Sequence, residues 1–159
     1  MTITKNELSP AASPAVPSRR REEMIQALKQ SGHRLTPQRL AILEILAQSS
    51  EHPSAEQIQR QVAERFPTTS LATIYKTLTL LKELGQVLEL GFAEWDRRYD
   101  GRHPQPHPHL ICTRCGAILD SESASLERLA RQLAAESGFK ITHHRLDFFG
   151  LCPRCQGKI

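Results

Sequence analysis

The chain contains four cysteines, arranged as two CxxC pairs, Cys112-x-x-Cys115 and Cys152-x-x-Cys155. A two-residue spacer lets both sulfurs of a pair face one ion from a tight turn. Two such pairs make the tetrahedral four-sulfur shell of structural zinc. The 36 residues between the pairs exceed the spacing of a simple zinc ribbon, so a folded unit has to bring them together. Free thiols or a redox CxxC are the competing readings, and the use of every cysteine in two matched pairs favours zinc. A closed four-sulfur site has no open coordination position, so it holds a fold rather than catalyses.

No stretch is apolar enough to cross a bilayer, and the opening "MTITKNELSPAASPAVPSRRREE" lacks the hydrophobic core of a signal peptide. A cytoplasmic protein is expected, where paired cysteines bind metal more often than they form disulfides. The net charge is +4. It divides evenly, with 11 basic and 9 acidic residues over 1–92 and 10 and 8 over 93–159, so charge alone locates no nucleic-acid surface.

Hydrophobic periodicity divides the 159 residues into a tail over 1–18, a helical unit over 19–92 and a metal-binding unit over 93–159. The tail is rich in Pro, Ser and Ala and is expected to be disordered. The helical unit shows four helices. "REEMIQALKQSG" carries Met24, Ile25 and Leu28 and stops at Gly32. "TPQRLAILEILAQ" begins with a Thr36 cap and Pro37. "HPSAEQIQRQVAERF" opens with Ser54 and Gln57 at capping-box spacing. "SLATIYKTLTLLKELG" runs from Ser70 to about Leu84, with Leu71, Ile74, Leu78 and Leu81 as its buried stripe. "QVLELGFAEW" has β character, with a hairpin turn expected at its central glycine. "DRRYDGRHPQPHPH" reads as loop. "HLICTRCGAILD" reads as strand, tight turn and strand, "ASLERLARQLAAESG" as an amphipathic helix, "FKITHHRLDFFGLC" as a further strand and "CPRC" as a second tight turn.

Helices two to four with the hairpin read as a winged helix-turn-helix, or equally as a small bundle whose polar face is solvated. In the first case the Ser70–Leu84 helix enters a major groove. Its polar face offers Thr73, Tyr75, Lys76, Thr77 and Thr79, suited to phosphates and base edges. The other ligand-type residues are His33, His52, Asp100, His103, His107, His109, Asp120, Glu122, His143 and His144. His107 and His109 alternate on an extended segment and project from one face, a bidentate arrangement for iron, manganese or zinc. An ion joining His52 to them would tie the helical unit to the metal-binding unit.

The order of "RLTPQRLAILEIL", "HPSAEQI", "SLATIYKTLTLLKELG", "HPHLICTRCG" and "HHRLDFFGLCPRC" resembles the ferric uptake regulator family of metal-sensing repressors, from about Arg19 to Cys155. The resemblance implies an α+β protein: an N-terminal winged helix-turn-helix domain and a small C-terminal α/β dimerisation domain with a four-cysteine zinc site. It implies a homodimer that binds double-stranded operator DNA when metal-loaded, with no membrane partner and no enzymatic activity. DNA contacts fall on Ser70, Ala72, Thr73, Tyr75, Lys76 and Thr77. Structural Zn²⁺ falls on the cysteines, and Fe²⁺ or Mn²⁺ on a regulatory site matching His52, Asp100, His107, His109 and Asp120. His103 is the alternative to Asp100. Pro106 and Pro108 replace ligands of a further family site.

Both regulatory carboxylates are aspartates, as in the peroxide-sensing branch, and no cysteine is left for a zinc-uptake type of site. The resemblance therefore implies repression relieved when peroxide, meeting bound Fe²⁺, oxidises His52 or His107. An iron-responsive uptake repressor is the alternative within the family. A non-haem metalloenzyme and a zinc-ribbon adaptor are the alternatives outside it.

Overall fold

A computed structural model describes residues 15–92, 95–121 and 124–157. The expected tail lies outside these residues up to position 14, as does the candidate ligand Glu122. Helix α1 spans Ala15–Gln30, so positions 15–18 are helical rather than part of a tail. Pro17 is compatible with this because the first-turn N–H groups of a helix have no intrahelical acceptor to lose.

Each of the next three helices begins with a polar side chain that satisfies those first N–H groups. Thr36 accepts from the Arg39 amide ahead of α2 (Pro37–Gln48). Ser54 and Gln57 form a reciprocal capping box at α3 (Ala55–Ala63). Ser70 accepts from the Thr73 amide at α4 (Leu71–Glu83). Such caps contribute about 1 kcal/mol each. The larger contribution comes from one shared core, in which Met24, Leu28, Ile42, Leu43, Leu46, Ile58, Ile74 and Leu81 are completely buried. Each such side chain stabilises the fold by about 1.5–3 kcal/mol.

Strands β1 (Leu88–Phe92) and β2 (Trp95–Asp100) form an antiparallel hairpin, with Leu88 opposite Asp100 and an irregularity between Leu90 and Phe92. Two sequence expectations change here. Gly91 lies within β1 rather than at the turn, and the segment expected as loop from Asp96 to Asp100 is strand. The strand lacks an apolar alternation; half-buried Glu89 of β1 pairs with Arg97 of β2 at 3.5 Å and with Lys82 of α4 at 3.2 Å.

The second sheet has the order β4-β3-β5, from β3 (His109–Cys112), β4 (Ile118–Asp120) and β5 (Asp147–Gly150). Strand β3 is antiparallel to β4 and parallel to β5. A parallel pair needs a long crossover, which here contains α5 (Ala124–Ser137). The last strand is shorter than expected: residues 139–146 are irregular, and regular pairing starts at Asp147. The second CxxC turn lies in the single-turn helix α6 (Pro153–Gln156).

The path from hairpin to second sheet is tightly packed. Arg20, only 6% exposed, donates from Nε to the Gly101 carbonyl at 2.8 Å and from Nη2 to the Gln86 carbonyl at 2.6 Å. A Cβ on Gly101 would lie 2.6 Å from the Leu46 Cβ and 3.1 Å from its carbonyl oxygen. Gly101→Ala is expected to cost about 1–3 kcal/mol through overpacking, measured as a lower denaturant midpoint. Gly150→Ala, with open space around its Cβ, is expected to change it little.

Candidate metal centres and nucleic-acid interface

Cys112, at the end of β3, and Cys115 meet Cys152 and Cys155 of the α6 turn in one cluster. The β3–β5 pairing places them together by setting Cys112 opposite Gly150. Cys115 Sγ and Cys152 Sγ are 3.7 Å apart. That is far beyond a disulfide bond of about 2.05 Å. It matches the edge of a tetrahedron with Zn–S bonds of about 2.3 Å, which is roughly 3.8 Å. The Cys152 amide donates to Cys112 Sγ at 3.3 Å. Backbone amides of Cys152 and Cys115 pull the Cys112 thiol down to about 6, while burial and the neighbouring sulfurs push Cys155 up to about 12. The four sulfurs therefore resist ionising together unless a cation joins them, which is the environment a structural divalent ion supplies.

A second cluster gathers His52, Asp100, His107, His109 and Asp120, one donor atom from each within 4.8 Å of one another. Three segments supply them. His52 comes from the loop between α2 and α3, Asp100 from the end of β2, and the other three from the second sheet and the approach to it. His109 and Asp120 are direct cross-strand partners.

His52 has φ +52°, the one positive φ among described non-glycine residues. Strand β2 holds that loop in place. Arg98 Nη2 donates to the Glu51 carbonyl at 2.8 Å, Arg98 Nε donates to the His52 carbonyl, and the Tyr99 amide donates to the Pro53 carbonyl at 3.0 Å. Asp100 is equally constrained, since its Oδ1 accepts from the Arg102 and His103 amides at 2.8 and 3.0 Å. His103 thus supports Asp100 through its backbone, and its side chain is not among the five clustered donors.

The facing atoms are His52 Nε2, Asp100 Oδ2, His107 Nε2, His109 Nε2 and Asp120 Oδ1, and all five are buried without a well-directed hydrogen bond. They nevertheless lie close together. Asp120 Oδ1 is 2.8 Å from His52 Nε2, 3.2 Å from His107 Nε2 and 3.8 Å from His109 Nε2, and Asp100 Oδ2 is 3.4 Å from each of the first two. Groups this close but misaligned point at a shared centre rather than at each other. Adjacent ligands at right angles around an ion with bonds of about 2.1 Å are roughly 3 Å apart. Three imidazoles and two carboxylates suit Fe²⁺, Mn²⁺ or Zn²⁺.

Protonation follows the same geometry. Burial lowers the His52 pKa, but the Asp100 and Asp120 carboxylates outweigh it and raise it to about 9. Burial likewise opposes the charged form of His107, and Asp120 leads the groups that shift it upward. Burial and the charges of His107 and His52 lower His109. Asp100 and Asp120 are held below the usual carboxylate range by the histidines, against the effect of burial. Without metal, the two carboxylates raise the proton affinity of His52 and His107, and one divalent cation can take the place of those protons.

On α4, Ser70, Ala72, Tyr75 and Lys76 are exposed and Thr73 is half-buried. Thr77 departs from expectation. It is 1% exposed, between Ile74 and Leu78 on the buried face, and its hydroxyl donates to the Thr73 carbonyl at 3.1 Å. It cannot contact DNA from there. Tyr75 Oη donates to Glu56 Oε1 at 3.0 Å. His33, His143 and His144 lie outside both clusters.

Residues 30–149 match the ferric uptake regulator family. The peroxide-responsive repressor of Staphylococcus aureus is 40% identical over 137 residues, covering 86% of this chain and 92% of that protein. Among solved structures, the Campylobacter jejuni peroxide stress regulator aligns with a TM-score of 0.68 at 33% identity, covering 82% of this chain and 98% of that one. A zinc uptake regulator complexed with zinc and DNA aligns with a TM-score of 0.66 at 27% identity, covering 88% and 95%. The chain, with its two ligand clusters and its four-helix unit with a hairpin, belongs to the ferric uptake regulator family.

Proposed function

We propose that this protein is a peroxide-responsive transcriptional repressor: a cytoplasmic homodimer that binds double-stranded DNA when Fe²⁺ or Mn²⁺ occupies the His52–Asp100–His107–His109–Asp120 cluster. The observation that carries the reading is the set of five buried, orphaned donor atoms, drawn from both the helical unit and the second sheet. The 40% identity to a peroxide-responsive repressor supports the branch, as does the presence of aspartate at both carboxylate positions. The role is regulatory rather than enzymatic.

In this reading the helices and hairpin form the DNA-binding unit, with Ser70, Ala72, Thr73, Tyr75 and Lys76 facing the groove. Structural Zn²⁺ sits on Cys112, Cys115, Cys152 and Cys155. His52 and Asp100 belong to the DNA-binding unit and His107, His109 and Asp120 follow it in the chain, so filling the site fixes how that unit is held. When bound, Fe²⁺ would supply the electron that splits the O–O bond of peroxide, so that a ligand imidazole takes up one oxygen atom and the other leaves as water. Of the three ligand imidazoles, His52 and His107 are the ones expected to be oxidised, and an oxidised imidazole would no longer fit the site. The dimer uses the opposite face of the second sheet. Leu110, Leu119 and Phe148 form one cross-strand row there, 43%, 52% and 52% exposed. A second copy covers it.

Three outcomes are expected. With a duplex selected from a random library, Fe²⁺-loaded protein loses DNA binding after brief hydrogen peroxide, and the peptides carrying His52 or His107 gain the mass of one oxygen atom. Mn²⁺-loaded protein keeps binding under the same treatment. Fe²⁺-dependent binding that survives peroxide with unmodified histidines would point to an iron-responsive repressor instead.

The second concerns protons. His52 is protonated below about pH 9 in the metal-free protein, so Mn²⁺ has to displace that proton. Affinity is expected to fall as pH drops, by about tenfold per unit for each proton displaced. It should level off above about pH 9, and calorimetry in buffers of different ionisation enthalpy should show proton release.

The third concerns assembly. Leu110→Asp is expected to convert the dimer to monomer in sedimentation and to abolish DNA binding, with zinc content unchanged.

A further inference from the structure

Asp147 and Arg145 belong to neither ligand cluster, yet Asp147 touches His109 of the second one and Arg145 touches Asp147. Strand register brings Asp147 beside His109 in the same cross-strand row that holds Asp120 on the other side. Asp147 Oδ1 lies 3.3 Å from His109 Nδ1, and the two side chains are 10% and 1% exposed. An ionised carboxylate only accepts, so Nδ1 carries the imidazole hydrogen and the lone pair is left on Nε2. Nε2 is the His109 atom that faces the cluster without a hydrogen bond. The other carboxylate oxygen, Oδ2, accepts from Arg145 Nε, and Arg145 Nη2 donates to the Gly91 carbonyl at 3.0 Å, in strand β1 of the hairpin. A continuous polar path therefore runs from a cluster donor to the hairpin.

We propose that Asp147 is a positioning residue of the five-donor centre, fixing the tautomer and aim of His109, and that Arg145 braces this pair against the β1–β2 hairpin. The inference rests on the reading that the five donors hold a divalent ion. A carboxylate behind a ligating imidazole raises its basicity and locks its ring. The arginine brace makes the ring's position depend on where the hairpin sits, and the reverse. Ion binding and hairpin order are then linked through a single side-chain chain.

The test uses full-length, zinc-loaded protein titrated with Mn²⁺ alone, with amide hydrogen exchange followed across residues 88–92 and 95–100. Wild type is expected to bind Mn²⁺ and to slow exchange in the hairpin when saturated. Asp147→Ala is expected to weaken Mn²⁺ binding by about ten- to a hundredfold. Asp147→Asn, which retains an acceptor oxygen for Nδ1–H but not the charge, should fall in between. Arg145→Gln should lose much of the Mn²⁺-dependent slowing in the hairpin while losing less Mn²⁺ affinity than Asp147→Ala. Zinc content and metal-free melting temperature should stay at wild-type values in all three.

Wild-type Mn²⁺ affinity in Asp147→Ala would overturn the positioning role. So would an equal loss in the Asn and Ala variants accompanied by a lowered metal-free melting temperature, since that marks a structural defect. Unchanged hairpin protection in Arg145→Gln would overturn the brace. Wild-type protein that takes up no Mn²⁺ would remove the five-donor reading itself, and this inference with it.

Discussion

Three imidazoles and two carboxylates occupy one buried space, and their lone pairs meet at a single point. That convergence is unfavourable unless positive charge is present, because buried polar atoms without partners cost free energy. Two protons can supply the charge, as the raised His52 and His107 indicate. One divalent ion supplies it with better geometry, since it meets all five donors together. Much of the surrounding structure holds those donors in position. The arginine at 98 clamps the His52 loop, the amides of Arg102 and His103 fix Asp100, and the sheet register sets His109 against Asp120.

Strand β3 shows how much can be packed into four residues. Alternation along a strand sends successive side chains to opposite faces. His109 and Ile111 turn inward, one to the ligand cluster and one to packing, while Leu110 turns out toward the apolar row. Cys112 ends the strand in the sulfur cluster. A register slip of one residue would send the histidine to the outer face and the leucine into the cluster. The four-sulfur site at the strand's end opposes such a slip by tying β3 to the α6 turn.

Much of this was legible in the sequence where the signal is local. Helix starts were marked by Thr36-Pro37, by Ser54 with Gln57, and by Ser70, and the structure uses each as a cap. The cysteine pairs announced themselves by spacing, and the His107-x-His109 alternation marked a second ligand face. What escaped depends on partners distant in the chain. Strand β2 carries Asp96, Arg97, Arg98 and Asp100, which show no apolar alternation, so its pairing with β1 left no periodic trace. Thr77 is polar but occupies a position on the buried side of its helix, and a hydroxyl that bonds its own backbone makes that burial tolerable. Asp147 lies 38 residues from His109, and nothing short of the parallel register brings them together.

That parallel register also sets an order of events during synthesis. Among the described residues, the buried apolar core of α1–α4 ends in the chain with Tyr99, and Gly101 closes against Leu46 and Arg20 just after it. Strand β3 is then made with its outer neighbour β4 close behind, but its other edge stays open until β5 follows the α5 crossover. The sulfur cluster waits equally long, with Cys152 lying 40 residues beyond Cys112. Domains generally fold as units with the N-terminal one first. The order of the chain therefore lets the helical unit take shape before the ion centre and the sulfur cluster can be completed.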